Sequence, residues 1–146
     1  MFPINYGDKF PWNHIQEDEI VYMADFSLEP FSDMVKLNKI CDELIWIDHH
    51  ESAIQEYKRT IFDSPPLILG WTNTNFAACE LTWKWINKGK SVPLAVSLLG
   101  RYDIWNENSI FWRAKILPFQ QGMKTENWMP TSNTVLEKWR RLRWHF

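Results

Sequence analysis

Ile20-Val21-Tyr22-Met23-Ala24 is a continuous apolar run that stops at Asp25, the pattern of a strand covered on both faces. Pro30 suits the first turn of a helix, and Phe31, Met34, Val35, Leu37 and Ile40 give that helix an apolar side. Leu44-Ile45-Trp46-Ile47 is a second apolar run, and it stops at Asp48-His49-His50. A further helical segment is expected from Glu51 to about Lys58. Strand, helix, strand at these lengths is the pattern of a βαβ unit with parallel strands. Both strands of such a unit finish at one edge of the sheet. Asp25 and Asp48-His49-His50 are therefore expected side by side, at the edge where parallel sheets place ligands and catalysis.

Elsewhere the pattern is less regular. Phe2–Tyr6 reads as a short extended piece, followed by a polar, turn-rich stretch through Gly7, Pro11 and Asn13. Pro65-Pro66 breaks the chain before Leu67-Ile68-Leu69, an expected third strand. Asn75 suits the cap of a helix from Phe76 to about Asn87, with Cys79, Leu81, Trp83 and Ile86 as its apolar contacts and Glu80 facing solvent. Pro93 opens a helix through Leu99 that leads by Gly100-Arg101-Tyr102 to Asp103. Ser132 or Asn133 suits the cap of a last helix, Thr134–Arg143, whose basic end (Lys138, Arg140, Arg141, Arg143) complements a helix C-terminus. No repeat or low-complexity tract occurs. The elements predict an α/β fold with a mostly parallel sheet flanked by helices.

Composition narrows the class. A chain of 146 residues with 45% hydrophobic and 23% charged residues is one domain, able to bury roughly 70% of its unfolded surface. The formal net charge of -2 offers no general attraction to nucleic acid or an anionic membrane. No apolar stretch reaches the length of a membrane span, Pro93–Leu99 being the longest, and Met1–Phe10 lacks the layout of a secretory signal. Cys41 and Cys79 are the only cysteines, so a disulfide framework is excluded. Both read as small buried hydrophobes in a reducing, cytoplasmic setting. Ten Trp is the abnormal count. Those rings either pack the core or form a surface that a missing segment or second chain buries.

The chemistry concentrates at the strand ends. Two adjacent imidazoles and a carboxylate cannot all be buried without partners. A hydrogen-bonded turn would account for a His pair alone, but Asp25 at the end of the neighbouring strand favours a metal. Imidazole nitrogens with carboxylate oxygens suit Mn²⁺, Fe²⁺ or Zn²⁺, and an oxygen-rich set leans towards Mn²⁺.

Three segments resemble the second, third and fourth motifs of the DHH phosphoesterases: Val21-Tyr22-Met23-Ala24-Asp25-Phe26-Ser27, Leu44-Ile45-Trp46-Ile47-Asp48-His49-His50 and Leu99-Gly100-Arg101-Tyr102-Asp103. That superfamily includes RecJ exonucleases, oligoribonucleases and family II inorganic pyrophosphatases. The resemblance covers about Phe2 to Met123, with the motifs in residues 20–105 and a C-terminal helical segment over 106–146. It implies that Asp25, His49 and Asp103 are Mn²⁺ ligands (with Mg²⁺ as substitute) and that Asp25 bridges two ions. It implies that His50 contacts the phosphoryl group, that Asp48 orients the histidines and that Arg101 clamps a phosphate. The implied activity is two-metal hydrolysis of a short oligonucleotide or a small phosphate ester.

The likeness is incomplete. The family's first motif, a His followed by Asp-x-Asp, has no counterpart, since no Asp-x-Asp occurs in the chain. His14 and Asp18 precede the first apolar run and read as surface loop residues. The glycine-rich substrate-binding domain also lacks a counterpart between Trp105 and Phe146. Residues 1–146 are thus expected to be a partial catalytic domain lacking one central strand, with the first motif upstream of Met1 or on a second chain, and weak or inactive alone. The alternative is a non-catalytic module of this fold that binds a nucleotide or a partner.

Overall fold

The computed structural model describes residues 2–63, 67–125 and 137–138. In chain order the main elements are β1 (Ile20–Ala24), α1 (Ser32–Ile40), β2 (Glu43–Asp48), α2 (Glu51–Asp63), β3 (Leu69–Thr72), α3 (Ala78–Ile86), α4 (Leu94–Asp103) and α5 (Leu117–Lys124). A 3₁₀ turn, Trp12–His14, precedes β1, and a π-helical turn, Trp112–Ile116, leads into α5. The fold is α/β, a three-stranded parallel sheet in the order β1-β2-β3 flanked by helices. No helix among the described residues is long and apolar enough to cross a membrane.

β2 is central because its apolar run is buried from Leu44 to Asp48. On one face, Met23, Leu44 and Trp46 meet Met34 and Leu37 of α1 and Ala53 and Ile54 of α2. On the other, Ile45 and Ile47 pack on Leu81 of α3, with Phe76 and Trp85 beside it. α4 lies on α3 rather than on the sheet, and its outer side packs Leu98 against Trp112 and Ile116. The indole Nε1–H of Trp46 donates to the carbonyl of Phe26 at 3.1 Å, tying the central strand to the loop after β1.

Several expectations change. β1 is an edge strand with Ile20 and Tyr22 more than half exposed, so it is covered on one face only. β1 and β2 are bonded directly in register, Ala24 opposite Ile47, so a further strand has room only outside β1 or β3. Pro30 precedes α1, and α2 runs on to Asp63. Strand β3 starts at Leu69, two residues later than the apolar run suggests. Its Gly70 lies so close to β2 that a Cβ there would overlap the Trp46 carbonyl. Phe2–Tyr6 pairs with no strand.

α3 begins at Ala78 with Ala77 as its cap residue. Asn75 caps nothing, and its own N–H is instead taken up by Asn73 Oδ1. The helix turns Ala78, Glu80 and Leu81 inward and leaves Cys79 and Ile86 exposed, the reverse of the expected face for three of those residues. His14 and Asp18 are exposed, as their sequence context suggests. Trp46 and Trp112 are core, while Trp71 and Trp105 show 38% and 60% of their surface. The Pro65-Pro66 break, the helix over 134–143 with its basic cluster, and His145 lie outside the described residues, 137–138 excepted.

Candidate metal centre

Asp25 is the first residue past β1, and its N–H still donates to Ile47 of β2 at 2.9 Å. Its φ of 61° is left-handed, a conformation that short polar side chains tolerate better than others. That twist ends the strand at the carboxyl edge. His49 follows β2 at the same edge, one register step away. Asp103 arrives from elsewhere, as the last residue of α4. A carboxylate there opposes the helix dipole, so helix stability does not account for its position.

The three meet at one atom. His49 Nε2 lies 3.1 Å from Asp25 Oδ1 and 3.3 Å from Asp103 Oδ2. The imidazole is 13% exposed, whereas the two carboxylates are about half open. Asp25, His49 and His50 each offer one ligand atom within 4.8 Å of the others. The Asp25 carboxyl is held above the usual carboxylate range. Loss of water on its enclosed side is the larger cause and the Asp103 charge the next, with His49 and His50 pulling the other way. Two carboxylates converging on one nitrogen leave an excess of negative charge that a divalent cation would neutralise. The mixed nitrogen and oxygen donors could hold a divalent metal ion such as Mn²⁺, Fe²⁺ or Zn²⁺.

Asp48 occupies a different position. It is fully buried on the α2 side, and its Oδ1 accepts the N–H of His49 at 2.7 Å and of His50 at 3.2 Å. The same oxygen meets His50 Nδ1 at 2.7 Å. An ionised carboxylate only accepts, so Nδ1 carries the proton and Nε2 of His50 is left for another group. Asp48 thus sets the His50 ring directly and His49 only through its backbone. Its Oδ2 has no partner among the described residues.

Arg101 is not drawn into this cluster. Its guanidinium lies over the Phe76 ring at 5.7 Å and lowers the Glu80 carboxyl, so it serves α3.

Glu80, expected in solvent, is 2% exposed between α3 and α4. Burial raises its carboxyl above the ordinary value, against the pull of Arg101, Lys84, the Ala77 backbone and Ser97. The signal available in the sequence was its place between Ala77-Ala78 and Leu81, with a glycine, Gly100, inside the helix that packs on it. Cys79 opens into a groove between α3 and α4 whose walls and neighbouring carboxylates, Glu80 before Asp103, push its thiol up to about 12. That value makes it a poor nucleophile.

Comparison of the chain with protein-family models, curated proteins and solved structures returned no match.

Proposed function

We propose that this chain is a metal-dependent phosphoesterase of the DHH type, acting on phosphodiester bonds of short oligonucleotides or a related small phosphate ester. The observation that carries the reading is the convergence of Asp25, His49 and Asp103 from three separate elements on one point at the carboxyl edge of a parallel sheet. Asp25, His49 and Asp103 would hold Mn²⁺, with Mg²⁺ as substitute. When bound, the metal stabilises charge on the phosphoryl oxygens and lowers the pKa of water.

The remaining work falls to the chain's own groups. Asp48 fixes the tautomer and angle of His50 through Nδ1, which aims Nε2 at a ligand on the open side of the ring. Held in that orientation, His50 contacts a phosphoryl oxygen through Nε2. Arg101, turned toward α3, leaves His50 as the principal phosphate contact. Three donors hold one metal weakly, and a two-metal site needs further carboxylates. The isolated chain is therefore expected to turn over poorly.

A second reading, a nucleotide-binding module without catalysis, is favoured by one feature. Trp105, two residues beyond Asp103, has a positive φ of 53° and a ring that is 60% exposed. Tyr102 and Trp112 hold that ring edge-on at 5.4 and 5.5 Å, a platform on which a base can stack.

Calorimetric titration with Mn²⁺ tests the first reading. One weak site in the wild type that disappears in His49→Ala supports it, and no heat in either protein sinks it. Quenching of tryptophan fluorescence by a short oligonucleotide, unchanged by EDTA, would select the binding module instead.

A further inference from the structure

Among the described residues nothing pairs with the outer edge of β1. Asp25 N–H and the Glu19 carbonyl both bond inward, to Ile47 and to Asp42 N–H. Backbone polar groups alternate sides along a strand, so the N–H and C=O groups of Ile20, Tyr22 and Ala24 face outward. No partner for them occurs among the described residues. Edge strands are ordinarily blunted by proline, lysine or a bulge. Ile20–Ala24 has none of these, and it exposes Ile20 by 54% and Tyr22 by 57%. The apolar surface continues into the groove of about 540 Å³ that begins at Ala24 and Asp25 and is walled by Cys79, Thr82, Trp83 and Ile86. Thr82 Oγ1 is buried there without a hydrogen-bond partner among the described residues.

The start of this edge carries one sign of charge. Glu17, Asp18, Glu19 and Asp42 are exposed there. None of the four pairs with a lysine or arginine among the described residues. That distribution decides the occupant. A second copy of this chain, paired antiparallel about Tyr22, would bring its own Asp25-Phe26-Ser27 against that acidic start, a segment without a lysine or arginine to complement it. We propose that the β1 edge receives an extended segment of another protein as a fourth strand, with alternating apolar residues flanked by lysines or arginines. The outward backbone groups supply the hydrogen bonds, the face of Ile20 and Tyr22 takes the apolar side chains, and the acidic start sets the position.

The test uses the full chain and two fluorescent peptides of alternating valine and threonine, one flanked by lysines and one by glutamates. The lysine peptide should bind, the glutamate peptide should bind at least about tenfold more weakly, and the Tyr22 and Ala24 amides should gain protection from hydrogen exchange. Ile20→Lys, at an exposed position that leaves the core untouched, should abolish binding while the thermal midpoint is unchanged. Equal binding of the two peptides, binding without protection at Tyr22 and Ala24, or no binding overturns the proposal. So would self-association of the wild type lost in Ile20→Lys, which would make a second copy the occupant.

Discussion

The carboxyl group of Glu80 lies against the backbone of Gly100, with Oε2 only 2.6 Å from where a Cβ on that glycine would stand. Cγ and Cδ of Glu80 are 2.8 Å from the same point, so the whole side chain would have to move, and its burial leaves it little room. Gly100→Ala is expected to destabilise the protein by about 1–3 kcal/mol, the usual cost of overpacking. In a Glu80→Ala background the clash is gone. The same change should then be neutral or stabilising by about 0.5–1 kcal/mol, as for alanine replacing glycine within a helix. Urea denaturation of the four proteins measures the coupling, and additive effects would refute the packing described.

The protonation of Glu80 gives stability a slope with pH. Because burial raises its carboxyl above 4.5, the folded state holds this proton more tightly than the unfolded chain does. Stability therefore falls as pH rises from 4.5 through the raised value, and the loss is complete above it. Glu80→Gln removes this dependence. Its thermal midpoint should match the wild type in acid and exceed it at neutral pH, and a constant difference across the range would contradict the assignment.

At Asp25 the left-handed φ of 61° makes a prediction independent of charge. Asp25→Gly and Asp25→Ala both delete the carboxylate, but only alanine carries a Cβ into that conformation. The alanine variant should be less stable than the glycine variant by about 1–2 kcal/mol. Equal unfolding midpoints would mean that the loop relaxes to a negative φ.

Asp48 accepts three hydrogen bonds at one buried oxygen. Asp48→Ala leaves the His49 and His50 N–H groups without that acceptor, at a cost of about 1–3 kcal/mol for each donor that water cannot reach. It also frees the His50 ring. The Nδ1–H signal of His50, followed by NMR, should be lost to exchange with water in the variant because its acceptor is gone, and a signal as protected as in the wild type would remove Asp48 from its positioning role.

Two of the three cluster positions were legible in the sequence. The apolar runs ending at Asp25 and at Asp48-His49-His50 define β1 and β2, and a parallel βαβ connection has no choice but to bring their ends to one edge. Asp103 was legible only through a resemblance between motifs. Its arrival at His49 depends on how α4 lies across α3, which no local periodicity records.

Other features were decided by tertiary packing. Glu80 and Cys79 are neighbours on one helix, yet the acid is buried and the thiol is exposed, because Gly100 makes space for one and a groove opens beside the other. The run Ile20–Ala24 is apolar enough for a covered strand, but among the described residues the helices packed on the sheet leave Ile20 and Tyr22 exposed. Hydrophobic pattern reports which backbone geometry a segment can adopt, since that is settled within a few residues. Which faces are covered, and which charges meet, is settled between residues far apart in the chain, and so only the folded molecule decides it.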